Sequence, residues 1–331
     1  MASSPHPKPD FLSDSRKKTP ASRPKAAPGR LRSGLSRTLV AAVVVLVLAS
    51  LGYALAGQWS NLPDIEWRFR PGWLALAVLA LAAFQWLHIE LWRGMIHSLG
   101  GALPPWKARS IWSTTLLARY VPTSALMAVG RIALSQREGV PKRVCLASVI
   151  YELAFTFTAA AAVSTYLVLT LPTLEERPVR WIVLAVPAAG LLTLHPRIFH
   201  ALMDAALRRM GREQLPFSLS FSSVIGYFLL FVTSFFVAGI AVLAMTQALH
   251  AVPVDDSPVL VASYSLGFAA GVIGFVLPGA LGAREAGVAV ALTTVVPAAV
   301  ALAVALVVRF AQVAIELLYA GIMPVVARYR P

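Results

Sequence analysis

Two stretches place charged residues beside a break in an apolar run, and these are where chemistry could occur. One runs from Tyr120-Val-Pro122 through Thr-Ser-Ala-Leu-Met-Ala128, with Arg119 before it and Arg131 after it. The other is Leu277-Pro278-Gly279-Ala280-Leu281-Gly282-Ala283, followed at once by Arg284 and Glu285. Proline removes a backbone donor and glycine weakens a helix, so helices reaching Pro122, or Pro278 with Gly279 and Gly282, should break there. A guanidinium stays charged and presents a planar fork, which suits phosphate better than carboxamide or sugar. Arg131, Arg284 and Arg119 are therefore candidate phosphate ligands. Glu152, Glu285 and Arg309 would set the field around them: Glu152 against Arg119 or Arg131, Glu285 against Arg309. Glu316 would either snorkel or pair with Arg309. The blander reading is a set of buried ion pairs that fixes the fold, with Arg131 a snorkelling anchor.

Other chemistries find little support. A single cysteine, Cys145, excludes an intramolecular disulfide and a cysteine-based metal site. The histidines are scattered, so no metal or cofactor is expected. No glycine-rich phosphate loop with lysine, nucleophile elbow or paired-aspartate motif occurs, which argues against an enzyme.

The elements that must position the charged residues are membrane helices. Of 331 residues, 58% are hydrophobic and 13% charged, and mean hydropathy is +0.71. Apolar runs of spanning length give helices at about 38–57, 72–96, 144–171, 220–247 and 298–324, with a shorter one, broken by Pro187, at about 179–194. Segments 108–133 and 259–296 carry the breaks and read as re-entrant hairpins, because irregular backbone at membrane depth needs protein or a water-filled cavity around it. Residues 197–213 read as an amphipathic interfacial helix with Ile198, Phe199, Leu202, Ala206 and Met210 on one face. Residues 1–37, with nine basic residues against Asp10 and Asp14, read as a disordered basic tail. His88, Glu90, Arg93 and the tryptophans Trp86, Trp92, Trp106 and Trp112 suit the cytoplasmic interface.

The net charge of +14 is arranged by side and does not point to nucleic acid. With the N-terminus inside, the basic residues of the tail, 93–109, 131–143, 197–212 and the C-terminus all fall in the cytoplasm. That holds only if 108–133 returns to the cytoplasm and 259–296 returns outside. The order span, broken segment, span thus recurs in opposite orientation over about 72–171 and 220–324, the signature of an inverted repeat with its site at the midplane. The fold class is all-α and polytopic, with about six spans and two re-entrant hairpins.

The chain also resembles a known family, the flippase-like membrane domain of the lysylphosphatidylglycerol synthases. The resemblance covers about 38–326. Tyr120-Val-Pro122 through Gly130-Arg131, Gly139-Val140-Pro141, Glu152, Leu277 through Glu285 and Arg309 carry it. Members usually have glycine where Thr123 and Ala280 stand, and an arginine where Leu153 stands. No soluble synthase domain is expected after residue 326, so the resemblance implies lipid translocation and not synthesis. The expected partners are anionic membrane lipids, with a second copy of the chain or an envelope-lipid synthase as protein partners. The expected location is the bacterial inner membrane with both termini cytoplasmic. Two other readings stay open here: an ion-coupled carrier for a small polar solute, and a non-catalytic accessory subunit of an envelope-lipid synthase.

Overall fold

The computed structural model describes Ala49 and residues 69–120, 125–170, 179–209, 219–273 and 282–330. The basic tail, the expected span at 38–57 and the breaks at Pro122, Pro278 and Gly279 lie outside the described residues. Within them the chain forms ten α-helices. These are α1 Pro71–Ser98, α2 Pro105–Leu116, α3 Ala125–Arg137, α4 Lys142–Thr170, α5 Val179–Leu194, α6 Pro196–Arg209, α7 Phe221–Leu249, α8 Ser257–Ile273, α9 Ala283–Leu292 and α10 Ala298–Tyr329. A 3-10 turn over Leu117–Tyr120 continues α2. Helices α1, α4, α7 and α10 are long and apolar enough to cross a membrane, with mean hydropathies of 1.8, 1.7, 2.5 and 2.2.

Local sequence explains where these helices begin and end. Pro71 and Pro105 stand in the first turns of α1 and α2, where a missing N–H costs nothing. The hydroxyl of Ser220 caps α7 by accepting from the Ser223 N–H at 3.2 Å. Helix α1 ends on Gly100 at φ 80°, with Gly101 N–H donating to Ile96 O and Gly100 N–H to His97 O. Helix α3 ends the same way on Gly139 at φ 87°, with Val140 and Gly139 donating to Ser135 and Gln136. Both are two-bond caps that need a residue at positive φ. Proline does not end every helix, however. Helix α5 runs through Pro187 and α10 runs past Pro324, five residues beyond the expected end. Helix α6 also turns differently from the expected face: Phe199 packs inward, stacked on Tyr151 at 4.0 Å, while Leu202 is 54% exposed.

The order long helix, hairpin, long helix occurs twice, as α1–α4 and as α7–α10. The first helices of the two sets pack together and run antiparallel. Arg70 N–H donates to Ala248 O at 3.1 Å at one end, and Ser98 lies 2.9 Å from Tyr227 Oη at the other. Each hairpin's first arm also lies antiparallel on the last helix of the other set. On α10, α2 places Trp106 near Arg330 and Arg119 on Glu316. On α4, α8 places Phe268 beside Phe157 and Ala262 beside Leu167. The exchange between the two sets is therefore reciprocal. Three glycines let helices approach within the second set. A Cβ on Gly239 of α7 would lie 2.1 Å from Val261 O of α8; on Gly267 of α8 it would lie 2.3 Å from Val288 of α9; and on Gly287 of α9 it would lie 2.7 Å from Ala270 of α8. Large apolar side chains such as Leu79, Leu192, Phe221, Leu229 and Leu318 are more than half exposed on the outer faces, where a bilayer would cover them.

Candidate functional site

Charged side chains gather at two places between the helices. The first lies where α3 packs on α4. Arg131 is 1% exposed and ion-paired with Glu152, whose other oxygen accepts from Trp112 Nε1 at 3.0 Å. The guanidinium lies between two indoles, 5.1 Å from the Trp92 ring and 5.2 Å from the Trp112 ring. Trp92 is itself held by donating to Ser148 Oγ at 3.1 Å. Helix α4 supplies both Ser148 and Glu152, one turn apart, so one helical face organises the whole cluster. Of the two partners weighed for Glu152, the structure brings Arg131.

The second place is where the two hairpins meet α10. Along one face of that helix run Arg309, Gln312 and Glu316, spaced three and four residues apart and each no more than 4% exposed. Glu316 accepts from Tyr120 O–H at 2.8 Å and is ion-paired with Arg119, so it anchors the inner end of the first hairpin arm. The pairing with Arg309 weighed from sequence does not form. The two residues stand seven positions apart on a continuous helix, about 10.5 Å along the axis. Arg309 instead has its Nε 3.2 Å from Glu285 Oε1, an ion pair without the alignment of a hydrogen bond, and its guanidinium lies 5.6 Å from the Tyr120 ring. The second carboxylate oxygen of Glu285 accepts from the Gly282 N–H at 2.9 Å. Gly282 sits at φ 84°, a conformation that side-chain-bearing residues rarely adopt, and it starts α9 so that Arg284 and Glu285 diverge.

Arg284 differs from the other arginines. Its guanidinium lies 4.8 Å from the Tyr264 ring and 5.6 Å from the Phe268 ring, both on α8. Its Nη2 is shielded from solvent and has no hydrogen-bond partner, and among the described residues it forms no ion pair. Among the described residues, four arginines (Arg119, Arg131, Arg284, Arg309) face three glutamates (Glu152, Glu285, Glu316), one fewer carboxylate than guanidinium. The segments 121–124 and 274–281 carry no acidic residue to offset that difference. Two aromatic rings hold a cation in place without neutralising it.

Beside Arg284 lies a cavity of about 10 Å³ lined by Tyr264, Glu285, Val288, Arg309 and Gln312 among others. That is room for roughly one water. Tyr264 and Gln312 do not stand out in the sequence: each lies in an apolar run with no charge beside it. The only signal for Gln312 is its spacing between Arg309 and Glu316. Several residues expected at the interface are buried within the protein. His88 is 7% exposed, 3.1 Å from Ser234 Oγ, and enclosed by Phe84 and Phe231. Trp92 and Trp112 belong to the core, whereas Trp86 and Trp106 sandwich Arg109 at 4.2 and 4.4 Å, with Glu90 accepting from Arg109 at 2.7 Å. Among the described residues no three His, Cys, Asp or Glu side chains come together as metal ligands.

Residues 37–320 match the profile of a family described as the lysylphosphatidylglycerol synthase TM region. The chain belongs to that family. Family membership and the four long apolar helices make it a multi-pass membrane protein with a lipid-related role. No curated protein matches the chain significantly.

Proposed function

We propose that this member of the lysylphosphatidylglycerol synthase TM family is a lipid translocase of the bacterial cell membrane, with both termini cytoplasmic. Its cargo is an anionic lipid, either a phospholipid or a polyprenyl-phosphate-linked intermediate, and it carries out no bond chemistry itself. The observation that supports this most directly is Arg284: a guanidinium without a carboxylate partner among the described residues, held on two rings where both hairpins converge. Family membership and the surplus positive charge point the same way. Arg284 takes the phosphate. Arg119, Arg309, Glu285 and Glu316 shape the surrounding field, and the Arg131–Glu152 pair positions the first hairpin. Because the cavity holds room for about one water, the headgroup enters when the hairpins part.

The test is reconstitution in vesicles carrying fluorescent phosphatidylglycerol in both leaflets, reading the fraction reached by an external quencher. Quenching well beyond half, lost in Arg284→Gln, is expected. Quenching that stops at half in the wild type overturns unassisted translocation of that lipid and turns attention to an accessory role beside a synthase.

A further inference from the structure

A second group of charged residues lies where the C-terminal ends of α1 and α10 meet the start of α2. Glu90 of α1 accepts from Arg93 Nε at 2.8 Å through one oxygen and from Arg109 Nε of α2 at 2.7 Å through the other. The two guanidiniums therefore stand side by side, each bound through Nε, with their Nη groups left over for a further acceptor. Stacking between Trp86 and Trp106 fixes the plane of Arg109. Arg330, just past α10, lies over the same Trp106 ring at 5.1 Å. Three guanidiniums thus gather around one carboxylate, and two of them are oriented before any ligand arrives. Neither is closed off, since the side chain of Arg93 is 30% exposed and that of Arg109 14%.

The surface below these cations identifies what they hold. Along α1, Leu79, Ala83, Trp86, Glu90 and Arg93 recur at spacings of four and three, which puts them on one helical face. That face grades from Leu79, two-thirds exposed, through the half-buried indole of Trp86 to the charges. Helix α10 repeats the gradient. Leu318, Ile322 and Val325, each at least half exposed, form a stripe that runs toward the Arg330 end. The two helices are joined where Tyr319 O–H donates to Ala82 O at 3.0 Å and its ring meets Trp86 edge-on. Apolar strip, indole, guanidinium is the order of groups that matches a lipid from acyl chain to phosphate, with tryptophan at interface depth. A soluble anion would use the guanidiniums and leave the strips idle.

We infer that this end of the molecule carries a peripheral lipid site, in which Arg93 and Arg109 bind the phosphate of one anionic lipid at the membrane surface, Arg330 flanks it, and the acyl chains lie along α1 and α10. Paired planar forks suit a phosphate, whose oxygens accept two bonds from each. The site is separate from Arg284. Arg109 precedes Arg119 by ten residues, roughly 15 Å of helix, and no residue is shared with the cluster where the hairpins meet. A lipid seated here would tie the ends of α1, α2 and α10 together, whether or not any lipid crosses the membrane.

The experiment measures binding with the inner site disabled. Wild type and Arg284→Gln in detergent are titrated with dihexanoyl phosphatidylglycerol, dihexanoyl phosphatidylcholine and inorganic phosphate, read by thermal shift and tryptophan fluorescence. Arg284→Gln should still bind phosphatidylglycerol saturably, at least about tenfold more tightly than phosphatidylcholine or inorganic phosphate. Adding Arg93→Gln should weaken that binding by about fivefold, the effect of one charge near the surface, and adding Arg330→Gln should weaken it in the same direction. The melting temperature of each variant without ligand shows that it has folded. Loss of phosphatidylglycerol binding in Arg284→Gln alone overturns the inference, because only the inner site would then bind lipid. Affinity unchanged by both Arg93→Gln and Arg330→Gln overturns it too, as does phosphatidylcholine binding as tightly as phosphatidylglycerol. Inorganic phosphate binding as tightly as phosphatidylglycerol would make this a site for a soluble anion and overturns the lipid assignment. A protein that binds as expected and fails the vesicle assay keeps this inference and loses the translocase reading.

Discussion

Arg309 of the last helix faces the ring of Tyr120 at 5.6 Å, and Tyr120 in turn donates to Glu316 on that same helix. The inner end of the first hairpin arm is therefore held to α10 on both sides of one aromatic ring. Glu285 joins the second hairpin to the same arginine. The two hairpins are thus both tied to this one stripe of α10.

Removing Glu316 should have a larger effect than removing the Tyr120 hydroxyl. Tyr120→Phe deletes one hydrogen bond, expected to cost about 0.5–1.5 kcal/mol. Glu316→Ala leaves Arg119 without its carboxylate as well, and breaking a buried pair from one side costs about 3–5 kcal/mol. Thermal unfolding in detergent should rank wild type above Tyr120→Phe and Tyr120→Phe above Glu316→Ala.

The Arg131–Glu152 pair gives a sharper test, because it separates breaking a pair from deleting it. Glu152→Gln leaves a guanidinium that is 1% exposed without a countercharge and should destabilise by about 3–5 kcal/mol. Arg131→Met combined with Glu152→Leu should be milder than the single change. A double variant less stable than Glu152→Gln would show that the pair contributes net stability.

Gly239 should tolerate no side chain. Its Cβ would lie 2.1 Å from the Val261 carbonyl, so Gly239→Ala must push α8 away from α7, at about 1–3 kcal/mol or more. Gly226, on the same helix with open space around it, is the control, and Gly226→Ala should stabilise by about 0.5–1 kcal/mol. Melting temperatures of the two variants should move in opposite directions.

Arg109 between its two indoles predicts that lysine is a poor replacement. A guanidinium stacks flat on both faces and reaches Glu90 at once, whereas an ammonium is a compact point charge. Arg109→Lys should lower the melting temperature nearly as far as Arg109→Ala. Full stability in Arg109→Lys would show that charge alone suffices there.

The main spans were legible because long apolar runs bounded by proline, glycine and basic residues leave few alternatives. Starts at Pro71, Lys142, Phe221 and Ala298 fall within two residues of those expected. The run past Pro324 was not legible, since the same proline that breaks one helix is accommodated in another where its neighbours permit. Pairing between charges was legible only in part. Helical spacing allowed Glu285 and Arg284 to be separated, but Glu316 finds its partner across the halves, and no local pattern encodes that. Tyr264 and Gln312 escaped notice because an uncharged polar residue in a membrane helix looks the same whether it packs against a neighbour or lines a cavity.

The hold of α10 on the first hairpin also has a consequence in time. Glu316 lies 197 residues downstream of Arg119. At ordinary rates of synthesis that interval is roughly 10–40 s, during which Arg119 and Tyr120 have been made and their carboxylate has not. Until α10 arrives, burying that arm would leave an arginine uncompensated, so the nascent first hairpin should remain near the water interface and swing inward last. Chains arrested before residue 316 should leave a cysteine placed at Leu117 open to a membrane-impermeant label, and full-length chains should protect it. Biogenesis of this protein would then end with the closing of its earliest hairpin.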